Sequence, residues 1–364
     1  MGHGEVSPDR MRPIVIRFPE DPVEAVMEAD ALDATLDAKT LLVRGPLFGV
    51  AAQEPGEEPR WRVVVPVDAD CPQQARDSLH SLFWFRARDD AQNRAERRDL
   101  LTAVTRLETE RVDELTVLGT RYRVVRAEEY TGLGQNGIEQ PRPTDPEPAV
   151  PNWDHRYSDP QIDVDLVLDP DAPITPVQAA ERLALRGLGY AGPRFPEDVV
   201  DDSRRALTTH PDVLLLPAVF RVVGKDGPGW KVESGLRATA HDARKSLDLA
   251  LTWSQPRRRR LIAWDAGGDV NARTVVARGT DSATAEELSE YVRAADRLRA
   301  ERANQVEARG TVYHICRARR LLRWGPDGPE GPRPSDTESH PPERVRPRID
   351  EDGNVRYDEE DDDI

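Results

Sequence analysis

The sequence predicts an α+β protein built as a tandem duplication of one module, each copy an antiparallel sheet with helices on one face. Three observations predict it. Residues 106–145 and 297–336 align without a gap at a constant offset of 191 and agree at 16 of 40 positions. The elements around those segments recur in the order β-α-β-β-α-(α)-β, the ferredoxin-like order with an added helix. Cap-and-proline devices open the first helix of both copies, at Asp21-Pro22 and Thr175-Pro176, where a side-chain acceptor satisfies a free N–H and proline loses nothing.

Module A spans residues 13–140. Ile14 to Ile16 supply a short first strand, and Val23, Val26, Met27 and Ala31 follow at helical spacing. Leu47–Ala51 and Trp61–Val67 read as paired strands. Ala75, Leu79, Leu82 and Phe83 stripe a second helix, and Leu100, Leu101, Val104 and Leu107 a third. Thr116–Leu118 and Arg121–Tyr130 flank a turn at Gly119-Thr120. Module B, residues 161–340, repeats this with a first strand at Val164–Leu168, paired strands at Val219–Val223 and Trp230–Val232, and a helix through Ala243, Leu247, Ala250 and Leu251. It carries an insertion around Pro256–Ala283, then a capping box, Thr284 with Glu287, before the next helix. A second Arg-Phe-Pro-Glu-Asp run, at 194–198, echoes residues 17–21 but breaks this order of elements and reads as coincidence. Residues 141–160 hold six prolines and read as a semi-extended linker. Residues 1–12 and the acidic tail 341–364 lack apolar periodicity and read as disordered.

The run Gly325-Pro-Asp-Gly-Pro-Glu-Gly-Pro-Arg-Pro-Ser-Asp336, with Ala75–Leu79 and Pro141–Asp145, resembles an uncharacterised family of actinobacterial, Streptomyces-type proteins. The resemblance implies no activity and transfers no site residues. It agrees with the composition: four lysines stand against 47 arginines, the bias a GC-rich genome writes.

A net charge of −16 disfavours nucleic acid and anionic membrane as partners. The longest apolar stretch, near Val213–Val223, is interrupted by Pro217 and Arg221 and is too short to span a bilayer. Cys71 and Cys316 form no disulfide framework. The chain reads as cytoplasmic.

Candidate chemistry is thin. Cys71 sits at a helix start, where a thiol can be activated, yet a cap position that tolerates a small side chain is much the plainer reading. His314 and Cys316 alternate on one strand face, but a zinc site needs more ligands. Arg257–Arg260 form the longest arginine run, with Trp264 nearby; a solvated loop is the plainer reading. The pairs Gly134/Gly137 and Gly325/Gly328 precede Pro-Arg-Pro rather than a helix, so they are turns and no phosphate loop. Six consecutive acids, Asp358–Asp363, read as solvated. Trp153, His155 and Tyr157 alternate in the linker without a counterpart after residue 334, and suit a latch across the seam between modules. No catalytic set, cofactor fingerprint or metal cluster is legible.

Function therefore reads first as a non-catalytic binding or adaptor protein, its two modules a platform for a protein partner or for self-association. A small-molecule site between modules comes second, with Trp153, His155, Tyr157, Arg126 and Arg317 as candidate lining. An enzyme of unrecognised type comes third.

Overall fold

The computed structural model describes residues 11–157, 159–227, 229–279 and 283–356. In the first half, α1 (Pro22–Asp37) leads into β1 (Thr40–Gln53) and β2 (Trp61–Ala69). Helices α2 (Pro72–Phe85) and α3 (Arg94–Thr109) follow, then β3 (Glu114–Val117), β4 (Thr120–Gly134) and β5 (Gly137–Ile138). The second half begins with β6 (Val167–Leu168), α4 (Pro176–Leu185) and α5 (Glu197–Thr209), and continues through β7 (Asp212–Lys225), β8 (Lys231–Val232) and α6 (Ala240–Leu249). After α7 (Gln255–Arg258) and α8 (Ala272–Ala277) come α9 (Ala283–Glu301), β9 (Gln305–Ala308), β10 (Thr311–Gly325) and β11 (Gly328–Pro329). A small hairpin, β12 (Arg348–Ile349) and β13 (Val355–Arg356), ends the described chain.

Local chemistry explains the main boundaries. Asp21 caps α1 by accepting from the Glu24 N–H at 2.9 Å, with Pro22 in the first helical position. The β3–β4 hairpin turns at Leu118 (φ 51°) and Gly119 (φ 86°), and the β9–β10 hairpin at Arg309 (φ 53°) and Gly310 (φ 76°). A two-residue turn with both φ positive matches the strand twist, and glycine takes one of the two costly positions.

One mixed helix-and-sheet architecture results. The strands form a single antiparallel path, β6-β2-β1-β4-β10-β7-β8. Strand β1 pairs with β4 from Thr40 to Gln53, and β7 with β10 from Asp212 to Lys225, two 14-residue strands in like positions. At the centre β4 pairs with β10, Glu129 facing Arg320, two positions separated by the sequence offset of 191.

One sheet face carries the helices. Phe48, Val50, Tyr122 and Val124 pack on Leu79, Phe83, Leu100 and Val104 of α2 and α3. Phe220, Val222, Tyr313 and Ile315 pack on Leu247, Leu251, Tyr291 and Leu298 around α6 and α9. The opposite face holds a core shared by both halves, where Leu47, Trp61, Val67 and Val125 meet Leu214, Leu216, Leu322 and Trp324.

Several expectations need correction. The ferredoxin-like order fails because neither expected first strand forms a strand of its own half. Ile16 makes a lone bridge to Ile174, and Val167–Leu168 pair with β2 of the first half. Apolar runs this short close too few ladder bonds to hold an edge. Helix α5 is absent from the sequence reading because its buried residues are Asp202, Ser203 and Ala206, which leave no apolar stripe. With α5 in place, the second Arg-Phe-Pro-Glu-Asp run no longer breaks the order: the first run ends at the cap of α1 and the second runs into the first turn of α5, and each helix leads into a 14-residue strand. The Thr284–Glu287 pair is not a cap, since α9 already includes Ala283. The 341–364 tail is ordered as far as Arg356, lying on α2 and α3. Residues 1–10 and the acids 358–363 lie outside the described residues.

Gly49 gives this subsection its prediction. A Cβ there would lie 2.6 Å from the Pro66 carbonyl oxygen and 2.8 Å from the Val67 Cα, whereas at Gly235 it meets nothing within 4 Å. Gly49→Ala is expected to cost about 1–3 kcal/mol in urea unfolding, and Gly235→Ala to leave the midpoint near wild type.

Candidate functional site

Arginines of the two central strands organise the site. After β5 and after β11 the chain forms a short arm, and each arm lies on the other half's central strand. The Arg126 N–H donates to the Glu330 carbonyl, and the Arg317 N–H to the Glu139 carbonyl, both at 2.9 Å. Arg126 Nε reaches Asp336 at 3.0 Å and Arg317 Nε reaches Asp145 at 3.0 Å. Within the arms, the Arg333 and Arg142 backbone N–H groups each donate to Asp336 and Asp145 at 2.7 Å. Their side chains fork onto Glu330 and Glu139. Helices α5 and α1 each lend an aspartate to the arm beside them: Asp202 accepts from Ser335, and Asp30 from Thr144. We call these two assemblies clasps.

Beyond the arms the chain continues as straps. Glu147 binds Arg244 of α6 at 2.6 Å, and Glu338 binds Arg76 of α2. Those arginines also hold Asn304 and Asp113, respectively. The pattern of contacts is the same on both sides.

The clasps differ in what covers them. Over Arg126 and Arg333 sits Glu128, which pairs with both, and the Tyr190 phenol donates to Glu128 at 2.6 Å. Arg126 holds the Glu128 carboxyl below the usual range, although burial pushes it upward. Over Arg317 and Arg142 the sheet instead presents Arg319, bound to Glu139 and Glu181. Beside it, beneath α1 and α4, a cleft of about 650 Å³ opens.

On the other sheet face Arg320 and Asp163 are both fully buried, paired at 2.6 and 2.7 Å, with Val67 and Pro217 carbonyls accepting further bonds from Arg320. Nearby Glu129 meets Arg221 at 2.9 Å and Arg44 at 3.4 Å; burial raises its carboxyl above the usual range. Such pairs tolerate burial only with complete hydrogen bonding.

The five residues singled out from sequence do not converge on one site. Arg126 lies in the covered clasp and Arg317 in the open one. Trp153, His155 and Tyr157 lie in the strap on α6. Trp153 meets the His241 ring edge-on at 4.9 Å, His155 Nε2 lies 3.6 Å from Asp248, and the Tyr157 carbonyl accepts from Lys245 while its ring stays exposed. Arg142, Arg319 and Glu181 went unnoticed. The matched Pro-Arg-Pro runs were the available signal for Arg142; nothing local marked the others.

The remaining candidates have structural partners. Cys71 is buried, 3.0 Å from Ser339 Oγ. Burial pushes the Cys316 thiol up to about 12, and His314 meets the Trp230 ring edge-on at 5.0 Å. Arg257 is buried over Trp253 and donates to the Val270 carbonyl, which corrects the solvated-loop reading for that residue. Among the described residues no group of three or more His, Cys, Asp or Glu is placed to hold a metal ion, and no helix is long and apolar enough to cross a membrane.

The sequence from the α1 cap to the second strap matches one family throughout. The chain belongs to a family of unknown function, DUF5954, which matches residues 21–339. No curated protein and no solved structure gives a significant match. The DUF5954 region takes in both clasps and the open cleft, and stops short of the β12–β13 hairpin.

Two predictions follow from the buried charges. Asp163→Asn strands Arg320 without its counter-charge and should cost about 3–5 kcal/mol in urea unfolding; asparagine also tolerates the positive φ of 59° at that position. Asp248, in contrast, titrates well below the usual carboxylate range: burial opposes this, but bonds from His155, Arg299 and Arg273 outweigh it. A depressed folded value means that stability is present above the unfolded value of about 3.9 and is lost as pH falls through the folded one. The stability gap between wild type and Asp248→Asn should therefore be full at neutral pH and narrow below about pH 4, as read by denaturant melts across that range.

Proposed function

We propose that the two halves are tandem copies of one module and that the protein is a cytoplasmic, non-catalytic adaptor, its paired modules a rigid platform for a protein partner. The constant 191 offset, the equal 14-residue strands, the twin hairpin turns and the reciprocal clasps support the duplication. The arginine-rich, lysine-poor composition supports an actinobacterial origin.

One observation carries the adaptor reading. Helix α1 buries none of its residues and turns two of its carboxylates inward, Glu28 to the Val177 N–H and Asp30 to Thr144. Its apolar side chains face out: Val23 is 69% exposed, Val26 60% and Leu36 73%, with Phe18 at 73% just before the helix. A helix with this much apolar surface belongs under cover, since each buried Å² of it returns about 25 cal/mol. Residues 18–38 hold seven acids and no lysine or arginine. The complementary partner is a protein segment that pairs apolar side chains with basic ones, such as an amphipathic basic helix.

The test uses an amphipathic helical peptide of leucine and lysine, with its leucine–glutamate analogue as control, titrated by fluorescence anisotropy. Saturable, salt-sensitive binding of the lysine peptide is expected, lost in Val26→Glu/Leu36→Glu while the melting temperature holds. Equal binding of both peptides would sink the reading. So would a concentration-dependent dimer that the same variant dissolves, because the face would then join two copies of this chain.

A further inference from the structure

The open clasp has a chemistry that its covered counterpart spells out. In the covered clasp Glu128 supplies a carboxylate that pairs with Arg126 and Arg333, and Tyr190 brings an aromatic ring, backed by Phe195 at 4.8 Å. At the offset of 191 the position of Glu128 is taken by Arg319. The open clasp therefore lacks one carboxylate and one ring. Phe18, which stands in the first Arg-Phe-Pro-Glu-Asp run as Phe195 does in the second, points to solvent instead.

The consequence appears at the arginines. Arg142 and Arg317 crowd around one Glu139 oxygen, and Arg142 Nη1 lacks the carboxylate that Glu128 offers Arg333 Nη1, while Arg317 Nη2, like Arg126 Nη2 in the covered clasp, has no hydrogen-bond partner among the described residues. Both residues line the cleft and keep 10% and 12% of their side chains accessible. Arg142 is held below its ordinary value by burial and then by the charges of Arg317 and Arg319, so a further anion would be welcome there. Leu215, Leu216, Pro217 and Ala218 give the cleft an apolar stretch of lining, and its charged lining balances Arg17, Arg142, Arg317 and Arg319 against Glu24, Glu28, Asp145 and Glu181, the last two already paired with Arg317 and Arg319.

We propose that this cleft binds a small aromatic carboxylate, its carboxylate bridging the free ends of Arg142 and Arg317 and its ring lying on the Leu215–Ala218 wall. The ligand supplies from outside what Glu128 and Tyr190 supply within the covered clasp. Two guanidinium ends around one carboxylate give directional, charge-assisted bonds, and a volume near 650 Å³ suits a molecule of that size. This site goes beyond the adaptor reading and uses the inner side of α1, so either can fail without the other.

The probe is phenylacetate, compared with acetate, 2-phenylethanol and phenethylamine, each titrated by calorimetry and by thermal melting. Phenylacetate is expected to saturate and to raise the melting temperature; the neutral and cationic analogues should not, and acetate should bind more weakly. Ala218→Phe fills the wall at a half-exposed position and should cut phenylacetate affinity by at least about tenfold without lowering the ligand-free melting temperature. Arg142→Gln should do the same to affinity, and Arg142→Lys should restore only part of it, since an ammonium lacks the fork. Equal responses to acetate and phenylacetate would overturn the proposal, as would saturable binding that neither Ala218→Phe nor Arg142→Gln weakens. An absence of any phenylacetate response at millimolar concentration would overturn it too.

Discussion

Everything in this molecule depends on the short antiparallel seam between β4 and β10. It joins two half-sheets into one and brings Glu129 opposite Arg320, so the centre of the protein is charged on both faces. On one face Arg126, Arg317 and Arg319 emerge, on the other Arg320 and Glu129, and none of these can be buried unpaired. The arms, α4 and the loop that carries Asp163 all deliver carboxylates or carbonyls to that seam. A hydrophobic seam of the same shape would be at least as stable. What the ionic one adds is a requirement that each arm cross to the other half, because each arm's aspartate pairs with the opposite strand's arginine. Neither half could satisfy its central strand alone.

That crossing explains which parts of the fold were legible. Helices α2, α3, α6 and α9 bury apolar stripes, and their periodicity announces them. The twin turns at Gly119 and Gly310 announce themselves through the glycine that a positive φ favours. Helix α5 and the straps are held by polar contacts with residues far along the chain, such as Asp202 with Ser335 or Glu338 with Arg76. Their sequences carry no period because they bury no continuous apolar face. For the same reason the 141–160 stretch reads as a free linker from sequence, although Trp153 packs on His241 and Glu147 pairs with Arg244.

The candidate site was half legible. Arg126 and Arg317 stood out because they match across the offset, and the clasps do rest on them. The aromatic residues of the linker stood out because they do not match, and they lie elsewhere, on α6. Position 128/319 is the more informative difference, glutamate in one half and arginine in the other, yet one mismatch among many carries no weight until the surrounding contacts are known.

The same logic separates divergence that is neutral from divergence that changes chemistry. His80 pairs with Glu108, and in like positions of the other half Asp248 pairs with Arg299: both partners differ together, and a side-chain contact is kept with the acid on the other side. At 128/319 only one side changed. Glu128 stands against Arg319, while Arg142, Arg317 and Glu139 match Arg333, Arg126 and Glu330 at the same offset of 191. Glu181 and Glu139 absorb Arg319 itself, and one Glu139 oxygen serves Arg142 and Arg317 together, but Arg142 Nη1 lacks the ion pair that Arg333 Nη1 makes with Glu128. The free ends of Arg142 and Arg317 line an open cleft, where solvent or a ligand can meet them. Compensated differences mark the scaffold, and the uncompensated one marks the place to look for a ligand.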